Sequence, residues 1–226
     1  MMAIAPEHRA TSDALRKAIG LDRLAGYRDA TDGSDKAALD LYLWNANISA
    51  AVFEDLAILE VALRNACHER LRSWHAYLGH ETPWYHSTVL TPAHMQDIAR
   101  ARLRVAQGKR GETEGRVVAE LMFGFWRLLH SKVYEPTLWQ HVLRFAYPNS
   151  TKLDRRDVYT RLDDLNTLRN RIAHHEPIHS TAIGRTHKDL AALQGDLNHV
   201  VRWLDPHLHD WLATQSRVPG LLSGKP

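Results

Sequence analysis

The chain has 226 residues, of which 44% are hydrophobic and 24% are charged. This composition is typical of a globular protein and excludes a fibre, a low-complexity tail and a disulfide-stabilised miniature domain. With 29 Lys and Arg against 26 Asp and Glu, the formal net charge is +3, which permits nucleic-acid binding without requiring it. The single cysteine, Cys67, cannot form a disulfide within the chain and favours a reducing compartment.

Neither a secretory signal nor a membrane span is predicted. The first ten residues bring charged side chains before any apolar run develops, unlike a signal peptide. The longest apolar segment, residues 117–129, is interrupted by Glu120 and Arg127 and is shorter than the ~20 residues that a bilayer requires. We therefore expect a soluble, cytoplasmic protein without a membrane partner.

Helical periodicity dominates, and no run alternates β-branched with polar residues, so the sequence predicts an all-α fold. The clearest helix is predicted over residues 35–73, where apolar residues recur on one stripe at about 100° per residue. That stripe consists of Ile48, Val52, Leu56, Leu59, Leu63 and Ala66. At its edge, Glu60 and Arg64 have the i,i+4 spacing of a local ion pair.

The remaining elements follow a long connection over residues 75–90. Thr91-Pro92 is expected to open a helix that carries three arginines into a basic turn, residues 108–111, which is expected to be solvated or RNA-facing. Further helices are predicted over residues 117–130, 136–146, 186–203 and 206–215. Between them, Ser150 or Thr151 is expected to cap a helix that Pro177 stops at about Glu176.

The segment from Arg169 to Glu176 combines a fixed cation, an amide and an imidazole within two helical turns. With Leu162 placed at 0°, three apolar residues of this helix, Leu165, Leu168 and Ile172, fall at about 300°, 240° and 280°. Asn170 and His174 fall at about 80° and 120°, so they point away from the apolar stripe. Arg169, at about 340°, lies on the flank of the stripe. Such a polar face is either bathed in solvent or covered by another surface, which would create a site.

Arg169-Asn170-x-x-x-His174 resembles the Arg-x4-6-His signature of HEPN domains. Residues 165–178 resemble Abi-like proteins of the AbiD/AbiF type, which belong to that superfamily. The resemblance extends to residues 41–45 with 59–65 and to residues 118–126, and so covers roughly residues 35 to 180. It implies a HEPN-like helical bundle with long and additional short helices. We expect one domain over residues 1–226, with an extension at 1–34, a core at 35–180 and C-terminal helices at 181–226.

Active members of the family are metal-independent endoribonucleases that dimerise around one cleft. The resemblance therefore implies RNA as substrate, no cofactor, a homodimer, and a role in abortive infection against phage or as a toxin with an RNA or protein antitoxin. His174 would transfer protons, Arg169 would bind the phosphate, and Asn170 would orient the imidazole or bind RNA. Glu60, Arg64, Asn65 and Arg171 are candidates for ordering these groups or holding RNA.

Three alternatives remain open at this stage. A HEPN-like module without cleavage would bind RNA or protein as a dimer. A metal enzyme is suggested by the histidines around His174 and by residues 205–210, but adjacent histidines diverge by about 100° on a helix, and neither an HExxH motif nor paired cysteines occur. A DNA-binding role lacks a helix-turn-helix signature and a dense basic recognition helix.

Overall fold

The computed structural model describes residues 14–108, 111–179 and 183–226. Within these ranges the protein is helical, and the only strand-like feature is an isolated antiparallel bridge between Ile183 and Lys188. The all-α prediction is therefore confirmed. The first ten residues and Lys109-Arg110 of the predicted basic turn lie outside the described ranges.

The α-helices follow one another along the chain, with short connections in most places. Besides the helical residues 14–19, they are α1 (Leu21–Asp29), α2 (Asp35–Tyr77), α3 (Pro92–Gln107), α4 (Glu114–Ala119), α5 (Phe123–Leu129), α6 (Arg155–Ala173), α7 (Leu190–Leu204), α8 (Pro206–Gln215) and α9 (Val218–Ser223). Shorter 3-10 helices occupy Trp84–His86, Lys132–Tyr134 and Leu143–Ala146, and a π-helix occupies Glu135–Trp139. Among the described helices, none combines the length and apolar character needed to cross a membrane.

The protein divides into two compact units. One consists of Met1–Val52 with Arg217–Pro226, and the other of Phe53–Ser216. In the first unit, the Trp44 indole donates a hydrogen bond to the Leu221 carbonyl at 2.8 Å, which ties the C-terminal helix to the first half of α2. All residues of the candidate site lie in the second unit, and the single-domain prediction stays a prediction.

Helix α2 confirms the predicted long helix and continues one turn beyond it, to Tyr77. The apolar stripe is buried as expected except for Ala66, which is half-buried. The neighbouring Cys67 is fully buried instead. The expected ion pair between Glu60 and Arg64 is not formed. Arg64 Nε instead donates to Asn65 Oδ1 at 3.3 Å. An exposed i,i+4 ion pair contributes only a few tenths of a kcal/mol, so a competing contact readily replaces it.

The prediction of one continuous buried helix over residues 117–130 is wrong. This part of the chain forms two helices, α4 and α5, because side chains satisfy the carbonyl groups at the break between them. The Glu120 carbonyl accepts from Arg104 Nη2 at 2.7 Å, and the Leu121 carbonyl accepts from Trp126 Nε1 at 3.2 Å. Residues 136–146 likewise form π and 3-10 turns rather than one α-helix.

Helix α6 begins later than predicted because Asp154, rather than Ser150 or Thr151, is its N-cap. The Asp154 carboxylate accepts from the Arg156 backbone N–H at 2.7 Å. Helix α7 also begins later, at Leu190, where Asp189 accepts from the Ala192 N–H at 2.8 Å. Helix α8 has the predicted bounds.

A fully buried histidine, His130, lies in the core of the second unit. Its Nδ1 lies 2.8 Å from the Trp126 carbonyl, which can only accept, so Nδ1 donates. Its Nε2 then accepts from the Tyr147 hydroxyl at 2.8 Å. Burial lowers the pKa of His130 to about 4, and burial also lowers the pKa of His68, His75 and His94.

We predict that the protein loses stability as the pH falls from about 6.5 through about 4. The folded-state pKa of His130 lies below its unfolded value, so its contribution is present above the unfolded pKa and is lost as the unfolded chain takes up the proton. The loss is roughly 3 kcal/mol for this ring. Urea unfolding at a series of pH values measures it.

His130→Gln is expected to reduce the pH dependence, whereas the exposed His199→Gln is expected to preserve it. An unchanged pH dependence in His130→Gln would contradict the assignment.

Candidate functional site

Two adjacent carboxylates in the middle of α6 hold neighbouring segments against this helix. Asp163 forms ion pairs with Arg127 of α5 and, at 3.3 Å, with Arg185. Asp164 is fully buried and accepts from the Arg185 backbone N–H at 2.8 Å and from the Thr186 hydroxyl at 2.5 Å. Helix α5 and the segment after the motif are thereby anchored to α6.

A third buried carboxylate, Asp196 of α7, extends this network. It pairs with Arg161 of α6 and with Lys188, whose Nζ lies 2.5 Å from Asp196 Oδ2 and 3.6 Å from Asp164 Oδ2. Cations thus neutralise each of the three carboxylates, as burial of charge requires. Helices α6 and α7 are fixed together directly before the part of α6 that carries the predicted motif.

The C-terminal half of α6 carries the motif, and its side chains are oriented as the periodicity predicts. Leu165 and Leu168 are buried, and Ile172 is 9% exposed. Asn170 and His174 are exposed on the side away from this stripe. The amide and the imidazole are therefore available to a ligand or to a second protein surface.

The helix ends three residues earlier than predicted, at Ala173, with His174 as its C-cap. The His174 N–H still donates to the Asn170 carbonyl at 3.0 Å, so the i,i+4 relation of the two residues is kept. His175 then adopts a left-handed backbone with φ of 56°. Its N–H donates to the Ile172 carbonyl and the Glu176 N–H to the Arg171 carbonyl, at 2.9 and 2.8 Å, which is a Schellman cap.

This cap gives His175 and Arg171 structural roles. His175 is exposed and closes the helix through its left-handed backbone. The Arg171 guanidinium lies 3.5 Å from the Glu176 carboxylate across the cap. The cap fixes the backbone on which the His174 imidazole is mounted, and the RNA-binding role of Arg171 stays a prediction.

Arg169 differs from the other half-buried arginines of α6. Its Nε is buried without an acceptor among the described residues, as is the Nε of Arg171, but no described carboxylate pairs with the Arg169 guanidinium. Arg155, Arg161 and Arg171 each have a carboxylate partner. A buried donor without an acceptor costs about 1–3 kcal/mol, and at Arg169 no described ion pair offsets that cost.

Residues 59–65, which also resemble the Abi-like family, make no polar contact with Arg169 among the described residues. In the described ranges, no hydrogen bond or ion pair joins Glu60, Arg64 or Asn65 to Arg169. Their role in ordering the guanidinium stays a prediction. Residues 118–126, the other segment that resembles the family, do approach α6. A Cβ on Gly124 would lie 3.6 Å from Asn166 Oδ1, so the small residue at position 124 allows close packing of α5 on α6.

The other polar clusters of the sequence have local partners. Arg100, Arg102 and Arg104 of α3 pair with Asp97, Glu112 and Glu120, which reduces the positive charge beside the predicted basic turn. Asp205 caps α8, and His209 pairs with Asp210 at 2.9 Å. No group of three or more potential metal ligands converges among the described residues.

Sequence reasoning missed the buried network of Asp163, Asp164, Asp196 and Lys188. Periodicity signals apolar stripes, whereas these carboxylates are buried because partners from other elements neutralise them. No family model, curated protein or solved structure matches the chain.

We predict that Gly184→Ala destabilises the protein by about 2–4 kcal/mol. Gly184 has φ of +77°, and a Cβ there would lie 2.5 Å from Asp164 Oδ1. Strain and steric overlap would therefore separate the segment after the motif from α6. Chemical denaturation measures the change.

Gly195→Ala is the matched control, because it lies inside α7 with open space around its Cβ position. It is expected to stabilise the protein by about 0.5–1 kcal/mol. Equal effects of the two substitutions would show that Asp164 does not restrict position 184.

Proposed function

We propose that this chain is an Abi-like member of the HEPN superfamily and a metal-independent endoribonuclease. The observation that carries the proposal is the end of α6, where Asn170 and His174 are exposed together beside Arg169, whose buried Nε has no acceptor among the described residues. An amide, an imidazole and an unsatisfied cation on a rigid helix end are suited to binding and cleaving a phosphodiester.

RNA supplies its own nucleophile, the ribose 2′-hydroxyl. An imidazole base removes the hydroxyl proton, the 2′-oxygen bonds to phosphorus, and an imidazolium acid protonates the departing 5′-oxygen. The products are a 2′,3′-cyclic phosphate and a 5′-hydroxyl. Arg169 stabilises the phosphorane charge, and Asn170 orients the His174 ring or contacts the ribose.

One copy of the motif offers a single exposed imidazole next to Asn170, whereas the reaction uses a base and an acid. A homodimer that brings two His174 side chains to one groove would supply both. Exposure of the motif face supports this arrangement, since a second copy can reach it. The proposed enzyme is cytoplasmic and acts in abortive infection against phage or as a toxin restrained by an RNA or protein antitoxin.

We predict that His174→Ala abolishes RNA cleavage, with a loss of at least about 10²-fold, and leaves the melting temperature unchanged. The side chain is exposed, so its removal leaves the core intact. Cleavage of mixed single-stranded RNAs in EDTA, with identification of the product ends, measures the effect.

His175→Asn is the control, because Asn tolerates the left-handed backbone at this position while the second imidazole is removed. Full activity is expected of it. Cleavage by His174→Ala at the wild-type rate would refute the proposed catalytic role and would favour a binding module.

We also predict that Arg169→Met abolishes cleavage without lowering the free energy of unfolding. Methionine keeps an apolar stem, and the buried donor that lacks an acceptor is removed, so stability stays constant or rises by up to about 1 kcal/mol. Arg161→Met, which breaks the pair with Asp196, should instead destabilise the protein. Large destabilisation by Arg169→Met would assign this residue to the fold.

A further inference from the structure

A second surface, in the same unit but outside the motif, combines aromatic rings with cations. The last two turns of α2 present Arg70, Ser73, Trp74 and Tyr77 at the i, i+3, i+4 and i+7 spacing of one helix face. They face residues 141–145 across a cavity of about 270 Å³. We call this the α2-end cavity.

The aromatic side chains of the α2-end cavity are exposed to an unusual degree. Tyr77 is 88% exposed and Phe145 is 52% exposed, and Trp74 is half-buried. Large aromatic side chains usually contribute buried area to a core. Rings held at the wall of an open cavity are instead placed to receive another flat group.

The lining of the α2-end cavity includes a cation and a histidine, and the Glu69 carboxylate lies 3.5 Å from the hydroxyl of Ser73, one of the lining residues. Arg70 and His141 line the cavity, and neither has a carboxylate partner among the described residues. The Arg144 guanidinium lies 5.6 Å from the centre of the Phe145 ring. No described residue of the lining carries a carboxylate, so the cavity is suited to an anion that also has a planar apolar part.

The volume limits what can enter. It lies just below the ~300–1,000 Å³ of pockets that enclose whole small molecules, so one flat group of a longer ligand fits better than an entire metabolite. A nucleotide within a single strand has this chemistry, because its base stacks on aromatic rings and its phosphate pairs with Arg or His.

We infer that the α2-end cavity binds single-stranded RNA through one base stacked on Tyr77, Trp74 or Phe145 and a phosphate held by Arg70. The inference rests on the proposed function for the identity of the ligand. It gives the RNA substrate a contact that is independent of Arg169, Asn170 and His174.

The test uses the full chain and a fluorescent 12-residue 2′-O-methyl oligouridylate, which lacks the attacking hydroxyl and cannot be cleaved. Fluorescence anisotropy at several salt concentrations measures binding. Tyr77→Ala is expected to weaken binding roughly 5- to 30-fold, and Tyr77→Phe to restore it. Arg70→Ala should also weaken binding and reduce the salt slope by about one.

The chain offers matched controls elsewhere on its surface. Trp211 is 52% exposed, like Phe145, and Arg202 is exposed outside the cavity lining. Trp211→Ala and Arg202→Ala are expected to bind like the wild type. Any of three results would overturn the inference. They are a wild type that fails to bind, wild-type affinity in Tyr77→Ala and Arg70→Ala, and controls that lose as much affinity as these two variants.

Sedimentation of the same variants separates RNA binding from contact between copies. Affinity lost only together with dissociation of a dimer would assign the cavity to a protein contact and overturn the inference. If wild-type protein binds the oligonucleotide in the expected pattern but cleaves no RNA, the cavity stands and the proposed nuclease activity fails.

Discussion

The position of the Arg169–His174 segment depends on the burial of charge in the preceding turns of α6. Asp164 has no exposed surface, and a buried carboxylate is tolerated only when donors and cations compensate for lost hydration. These donors come from the segment after the motif, at Arg185 and Thr186. The chain on both sides of the cap is therefore held to one helix, which gives the exposed imidazole a rigid support.

The contrast among the arginines of α6 separates structure from chemistry. Arg161 contributes to the ion-pair network, and Arg171 braces the helix cap. Arg169 and Arg171 both bury an Nε without a hydrogen-bond acceptor in the described part of the chain, but only Arg171 has a carboxylate beside it. An arginine with no described carboxylate partner is the group to which the proposed function assigns the phosphate.

Local periodicity predicted the features that depend on one helix alone. It located the apolar stripe of α6 and the outward direction of Asn170 and His174, because both follow from 100° per residue. It missed the break before Phe123, where carbonyl groups are satisfied by side chains distant along the chain, such as Arg104. It also missed the pairing of Asp164 with Lys188, since such partners are set by tertiary structure rather than by local pattern.

The proposed nuclease would have to bind a polyanion with little excess positive charge. The formal net charge is +3, and the arginines of α3 are already paired with carboxylates, so strong nonspecific binding to duplexes is disfavoured. Stacking depends less on net charge and requires bases that are not paired. Exposed rings such as Tyr77 next to an arginine without a carboxylate partner would therefore select single strands, the form in which the RNA backbone is also free to adopt the in-line geometry of 2′-hydroxyl attack.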